Sequence, residues 1–394
     1  MGDAVIISAA RTAIGTARKG TLLDVSAFDL AKWSVGEALK RSGVPGGDVD
    51  DVHMGEVMQG GGNIARHAAV ELGLLDAPGT AAQRQCASGM TAVQNASASI
   101  RAGMDTVVIA GGAESLSTSP AFGSTKRKLF TDEMEPWMPP SHPTTDDAPA
   151  WDMSITVAWN TARRAGITRE EMDEWAYRSH QRAVAAIDEK RFEEEIFPVE
   201  VPMRDGSTRV FEVDEHPRRE TTLEKLASLK PLHPEIEGFS ITPGNSSGIN
   251  DGSAALMLVD SDYAAAHGLR PLARIVSWAS AGVPPRDTGY GPVYAIPRAL
   301  ERAGLTIGDV DLAEINEAFA SVPIAACKEL GLDPAITNVN GSGCSLGHPV
   351  ASTGARMIMT TMYELARRGG GIGLAAMCAG GGMGSATIFE VFPS

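Results

Sequence analysis

Cysteine is scarce in this chain: Cys86, Cys327, Cys344 and Cys378 are the only four in 394 residues. No two stand in C-x-x-C spacing, which argues against a zinc knuckle or a dithiol redox motif, and no metal is expected. Basic residues are also few. Lys and Arg number 34 against 49 Asp and Glu, for a net charge of −15 and a pI near 5.0. Nucleic acid is therefore a poor partner, although a local basic pocket could still take an anionic ligand. A run of ~18 apolar residues is missing, so no membrane span is expected. The opening text "MGDAVIISAARTAIG" has no basic region followed by a long apolar run. No secretory signal is expected, and scattered, reduced thiols suit the cytoplasm.

What the chain does have is an ordinary soluble balance, with 43% hydrophobic and 21% charged residues. Its length calls for two or more packed units. Short β-branched runs such as "AVIIS", "TVVIA" and "AALMLV" alternate with helical runs such as "AFDLAKWSVGEALKRSG" and "YAIPRALERAG", which end at glycine. That alternation predicts an α/β fold.

The chain also repeats itself. A shift of 261 residues sets Ala38, Leu39, Arg41 and Gly43 on Ala299, Leu300, Arg302 and Gly304. It also sets Gly47-Asp48-Val49-Asp50 on Gly308-Asp309-Val310-Asp311, and Glu56 on Glu317. One more residue of shift sets Cys86 on His348. "AGG" at Ala110 resembles "AGG" at Ala379, and "GSAALMLV" from Gly252 resembles "GSATIFEV" from Gly384. Those last two pieces nearly touch in the second copy but stand far apart in the first. The expected layout is a first half of residues 1–113 and 244–268, an insertion of 114–243, and a second half of 269–394. The halves then pack with a pseudo-twofold relation. Cys86 and His348 take equivalent places at helix starts where the halves meet, a favoured place for a pocket.

Four stretches could carry chemistry. In "AAQRQCASGMTAVQ", Cys86 precedes a helix of small residues. A helix N-terminus lowers a thiol pKa and favours thiolate, and small neighbours admit a substrate or another backbone. Read alone, a packed core thiol fits the same text. In "NVNGSGCSLGHPVASTGAR", His348 sits in a Gly-His-Pro turn entering a second helix, with Pro349 suited to a first helical position. A Cys–His pair is a standard way to activate a thiol. The Gly341-x-Gly343 pair lacks the third glycine and the preceding strand of a dinucleotide loop. In "AAMCAGGGMG", Cys378 ends a strand and meets glycines that could offer backbone N–H groups as an oxyanion hole. No Lys-Ser/Thr follows, which disfavours a phosphate loop. In "EINEAFA", Asn316 could orient a water or donate a hydrogen bond, and it also suits a plain turn.

Together, "QCASGMTA", "NEAFA", "GHP" and "CAGGGMG", in this order, resemble the thiolase family of acyl-CoA C-acyltransferases. "ISAARTAIG" and "TPGNSSGINDGSAA" extend the resemblance over nearly the whole chain. It implies two duplicated α/β halves in a five-layer α-β-α-β-α core, with a loop domain inserted in the first half. It implies reversible Claisen condensation of acetyl-CoA with an acyl-CoA, or CoA-dependent cleavage of a 3-ketoacyl-CoA. Coenzyme A and acyl-CoA are then substrates, with no permanently bound cofactor, and the assembly is a homodimer or homotetramer. By resemblance, Cys86 is the acylated nucleophile, His348 its base and Cys378 the second, acid/base cysteine. Asn316 holds a water in one oxyanion hole, and the N–H groups of Cys86 and Gly380 form the other. Ser247 resembles a coenzyme A contact. Arg218 resembles a phosphate contact, with Arg219 a close competitor, and Met153 lines the acyl pocket.

The chain departs from the family where many members read "GGAIALGHPIGASGAR". Here Ser342, Gly343, Cys344, Ser345, Ala351, Ser352 and Thr353 differ. Asp152 replaces a frequent histidine, and Pro243 replaces the alanine of "TAGN". These changes spare the reacting groups and bear on acyl-chain specificity. Two other readings are a decarboxylating ketoacyl synthase and a catalytically silent acyl-CoA or lipid-binding relative. Cys378 argues against the first, and the intact quartet of Cys86, Asn316, His348 and Cys378 argues against the second.

Overall fold

A computed structural model describes residues 2–393. The first half runs through β1 (Ala4–Arg11), β2 (Gly15–Thr16), α1 (Ala27–Ser42), β3 (Asp51–Gly55), α2 (Ile64–Glu71), β4 (Thr80–Ala82), α3 (Ser88–Arg101) and β5 (Val107–Ser115). The chain then leaves the main sheet. It forms β6 (Thr125–Arg127), β7 (Met134–Pro136), α4 (Asn160–Arg164), α5 (Arg169–Asp188), β8 (Val199–Pro202), β9 (Thr208–Phe211) and α6 (Leu223–Ala227). It rejoins the sheet as β10 (Asn250–Asp260), and α7 (Ser261–Ala266) follows. The second half comprises β11 (Ala273–Gly282), α8 (Gly291–Ala303), β12 (Leu312–Ile315), α9 (Ser321–Leu330), α10 (Gly343–Leu346), α11 (Thr353–Arg367), β13 (Gly371–Ala379) and β14 (Met383–Val391).

The repeat seen in the sequence is built twice in space. Helices α1 and α8 both stop at a glycine in the left-handed region, Gly43 and Gly304, each with φ +69°. Glycine adopts that conformation without a Cβ clash. Parallel pairing of β3 with β5 has its counterpart in that of β12 with β13. Antiparallel β5–β10 is likewise matched by β13–β14. Strand order is β12-β13-β14-β11-β1-β10-β5-β3-β4. The two halves of that path touch only where Val5 and Ile6 of β1 pair with Arg274 and Ala273 of β11. The path is thus two sheets sharing a corner.

Helices fill the space on both faces of each sheet. The first sheet carries α1 outside, with α2 packed on α1 and β3; the second carries α8 outside, with α9 packed on α8. Between the sheets lie α3 and α11, packed on each other and on strands of both. The result is the α-β-α-β-α layering. Strand β10 shows how one segment serves two cores. Ala254, Leu256 and Leu258 face the central layer, while Ala255, Met257 and Val259 face α1. Alternate strand residues point to opposite faces, so a strand buried on both sides reads as a continuous apolar run.

The small residues of α3 have a specific use: they admit another backbone. A Cβ on Gly89 would lie 2.5 Å from the Ala351 carbonyl oxygen, one on Gly112 2.0 Å from it, and one on Gly55 2.8 Å. These three glycines form a socket for the second-half turn that carries His348. Gly354 repeats the device from the other side, because its Cβ would lie 2.6 Å from the Met90 nitrogen. Helix α11 starts at Thr353, four residues beyond Pro349. Residues between them form a tight turn in which the Ser352 and Thr353 N–H groups both donate to the Pro349 carbonyl. Among the described residues no helix is long and apolar enough to cross a membrane.

Candidate active site

Cys86 sits on a strained turn. Gln85, just before it, holds φ +46°, a left-handed conformation that side chains rarely adopt and that clusters at functional sites. Ser88 stabilises the turn from both ends. Its hydroxyl donates to the Gln85 carbonyl at 2.6 Å and accepts from the Arg84 N–H at 2.9 Å. The turn also reaches the other half, since the Arg84 guanidinium donates to Ser280 at 2.8 Å.

Cys86 keeps partial exposure to solvent, whereas Cys378, His348 and Asn316 are buried. The backbone N–H groups of Gly380 and of Cys86 itself are directed at the Cys86 sulfur. Cys378, at the end of β13, lies close enough to Cys86 for their charges to interact. Asn316 follows β12, and its N–H donates to the Ala376 carbonyl at 3.0 Å, two residues before Cys378. Asn316 Nδ2 lies 3.4 Å from Nε2 of His348. Its Oδ1 is buried, beside Gly343, and has no hydrogen-bond partner among the described residues. Cys86, Gly380, Cys378, Asn316 and His348 therefore form one cluster at the junction of the halves.

The electrostatics differ from the sequence expectation in one respect. A helix start was expected to lower the Cys86 pKa. Burial instead pushes the thiol up to about 11, against the pull of the two N–H groups. Helix α3 begins two residues later, at Ser88, so its dipole acts from a distance. Burial also holds the Cys378 thiol far above its usual value, with Cys86 adding to the effect. His348 goes the other way. Burial first, and the Arg356 guanidinium second, push it down to about 3. Arg356 is itself buried in an ion pair with Glu314. At rest the pair is a neutral thiol and a neutral imidazole.

Thr353 decides which ring nitrogen is free. Its hydroxyl donates to the Pro349 carbonyl at 2.9 Å, so the oxygen accepts from His348 Nδ1–H at 2.7 Å. Nε2 is left with its lone pair. Thr353 stands among the residues that depart from the family pattern, and its role emerges only from the folded turn.

Residues outside the cluster sort clearly. The Ser247 N–H donates to the Ala318 carbonyl at 2.9 Å, which ties its loop to the one carrying Asn316. Met153 is half-buried against the apolar cluster that includes Ala318 and Cys378. Arg219 is held by Asp188 at 2.5 Å, whereas Arg218 is exposed, donates its backbone N–H to His180, and has no ion pair to its guanidinium among the described residues. Asp152 pairs with His233 at 2.7 Å and caps the turn Ser154–Trp159 through Oδ1. Cys344 lies outside the cluster. It is buried, with its N–H on a Glu317 carboxylate oxygen and its thiol on the Glu317 carbonyl, which is a packing role. Among the described residues, no group of three His, Cys, Asp or Glu could hold a metal ion.

Comparison with known proteins decides the family. The model described as "Thiolase, N-terminal domain" matches residues 4–262, and "Thiolase, C-terminal domain" matches residues 269–391. The chain belongs to the thiolase family. Acetyl-CoA acetyltransferase of Pseudomonas aeruginosa is 41% identical over 98% of each chain. The 3-ketoacyl-CoA thiolase of Bacillus subtilis is 41% identical over 99% of this chain and all of its own. The crystal structure of Bacillus anthracis acetyl-CoA acetyltransferase superposes with a TM-score of 0.91 at 42% identity, covering 100% of this chain and 99% of that one. Human mitochondrial 3-ketoacyl-CoA thiolase gives 0.89 at 35% identity, covering 99% of each. The two-sheet, five-layer core is thus the thiolase fold.

Proposed function

We propose that this thiolase moves acyl groups through Cys86, with His348 as base and Cys378 as the second acid/base. The chain is an acyl-CoA C-acyltransferase, with acetyl-CoA and acyl-CoA or 3-ketoacyl-CoA as substrates. One observation carries the residue roles: a thiol under two backbone N–H groups shares a buried cluster with a second thiol and an imidazole that burial keeps neutral.

Proton bookkeeping follows from the neutral resting pair. As the Cys86 sulfur attacks the C3 carbonyl of a 3-ketoacyl-CoA, its proton passes to Nε2 of His348. The C2–C3 bond breaks, leaving the acyl group on Cys86 and an enolate of acetyl-CoA. Cys378 gives its proton to that enolate carbon. A thiol held well above its usual pKa keeps the proton until a stronger base forms, which suits this step. Free coenzyme A then returns a proton to Cys378 and attacks the acyl group. Cys86 leaves and recovers its proton from His348. Condensation is the same sequence reversed.

Developing negative charge on oxygen is met at two places: the N–H groups of Cys86 and Gly380, and the Asn316–His348 side. Arg218 supplies the phosphate contact, because Arg219 is already spent on Asp188. Ser247 contacts coenzyme A, and Met153 lines the acyl pocket. The insertion expected at 114–243 acts as a loop domain that begins where β5 ends, at Ser115, and it separates the first-half segments 1–113 and 244–268, ahead of the second half at 269–394. We place the enzyme in the cytoplasm as a homodimer or homotetramer.

Incubation with acetyl-CoA followed by peptide mass mapping tests the reading. The expected result is an acetyl group on Cys86 together with CoA-dependent cleavage of acetoacetyl-CoA. Absence of both would overturn it.

A further inference from the structure

Glu114 has no part in the scheme above, yet it binds the turn that carries His348 and its charge acts on Cys86. It lies near the end of β5, fully buried, opposite Gly252 of β10. Its two oxygens serve the two halves of the molecule. Oε1 accepts from the Met58 N–H at 3.3 Å, and Oε2 accepts from the Ala351 N–H at 3.2 Å. Ala351 belongs to the turn that carries His348, and its carbonyl occupies the glycine socket on the Cys86 side. One carboxylate therefore holds the nitrogen of the residue whose oxygen is held by three glycines.

The charged and titratable groups facing Glu114 are acidic or neutral. Asp251 comes from β10, Glu56 from the end of β3, and Cys86 from the head of α3. The second-half turn meets Glu114 through the neutral Ala351 N–H, and its His348, three residues earlier, is kept neutral by burial. Among the described residues no ion pair includes Glu114. Burial pushes its carboxyl up to about 8, with Asp251 and Glu56 adding to the shift and the two N–H bonds opposing it. When ionised, it opposes thiolate formation at Cys86. Asp251 is itself raised to about 6, chiefly by burial, while Ser117 donates to it through N–H and hydroxyl.

We propose that Glu114 is a positioning residue for the thiolase reaction, which fastens the His348 turn to the Cys86 half and sets its own charge against the nucleophile. This rests on the roles given above to Cys86 and His348.

The test uses the full-length protein with three readouts: acetylation of Cys86 by acetyl-CoA, the pH profile of Cys86 alkylation by iodoacetamide, and kcat and KM for acetoacetyl-CoA cleavage. For Glu114→Gln, the alkylation profile is expected to move to lower pH, because a negative charge is gone. kcat should fall on the order of tenfold to a hundredfold, the scale of a displaced catalytic group, with KM little changed. Glu114→Asp keeps the charge but cannot span both N–H groups. It is expected to lose kcat while keeping the wild-type alkylation profile. Asp251→Asn leaves Glu114 in place and keeps the test open if the Glu114 variants do not fold. In that variant the infrared band of the protonated Glu114 carboxyl should titrate at lower pH than in the wild type. An unmoved band, an unmoved alkylation profile in Glu114→Gln, or wild-type kcat in that variant overturns the proposal. A wild-type protein that acquires no acetyl group on Cys86 overturns the site reading instead.

Discussion

Nδ1 of His348 lies 2.7 Å from the hydroxyl oxygen of Thr353, five residues along the same turn. The hydroxyl proton is already committed to the Pro349 carbonyl, so this contact fixes the imidazole tautomer. The base role proposed for His348 Nε2 thus depends on a buried side chain that holds the opposite ring nitrogen.

Replacing Thr353 by valine keeps the shape and removes the acceptor. The expected loss in kcat/KM is at least about tenfold, within the ~10²–10⁴-fold that a positioned general base supplies. Thr353→Ser should restore most of it. Steady-state cleavage of acetoacetyl-CoA reads both, and equal activity in wild type and Thr353→Val would remove Thr353 from the mechanism.

The thiols of Cys86 and Cys378 separate by experiment. Cys378→Ala should still accept an acetyl group on Cys86, because His348 is untouched, and should fail to condense or cleave. Loss of acetylation in Cys378→Ala would mean the roles of the two cysteines are exchanged. Mass mapping after acetyl-CoA treatment distinguishes the outcomes.

Stability should depend on pH with a definite sign. His348 and His180 are pushed down to about 3 and His216 to about 4, each chiefly by burial. Below about pH 6.5 the unfolded chain binds protons that the folded one refuses, so stability falls as pH drops from there toward 3. Glu114 acts oppositely. The folded state holds its proton up to about 8, so its contribution is present at low pH and is lost as pH rises from about 4.5 to 8. Between about pH 6.5 and 8 the wild type should therefore lose stability at a slope up to about 1.4 kcal/mol per pH unit. Urea unfolding of Glu114→Gln should show a flatter curve there, and an equal slope in both proteins would contradict the burial argument.

The glycine socket has no slack. Gly89→Ala sets a methyl group 2.5 Å from the Ala351 oxygen, a backbone atom that cannot swing away. Overpacking of this kind costs about 1–3 kcal/mol, and urea unfolding should report a loss on that scale. Activity should fall as well, because the displaced atom lies three residues from His348.

Much of this was legible in the sequence because duplication is written there twice. The 261-residue shift and the left-handed glycines ending α1 and α8 told of one unit built two times. The extra residue of shift set Cys86 against His348. Other features have no local signature. Burial, not helix position, sets the Cys86 pKa, and burial is a property of everything packed around the sulfur. Gln85 carries backbone strain in a residue type that does not announce it. Glu114 was expected to open the insertion, whereas β5 runs on to Ser115. Its significance depends on an amide 237 residues away.

Helix α3 opens with Ser88 and Gly89, residues that form helices poorly. A designer seeking a firmer helix would put alanine at Gly89. That improvement is closed off, because the missing methyl is the space in which the other half of the molecule rests. The enzyme gives up local helical stability beside Cys86, the proposed nucleophile. In exchange, the separation between thiol and imidazole is set by contacting main chains, which do not change rotamer.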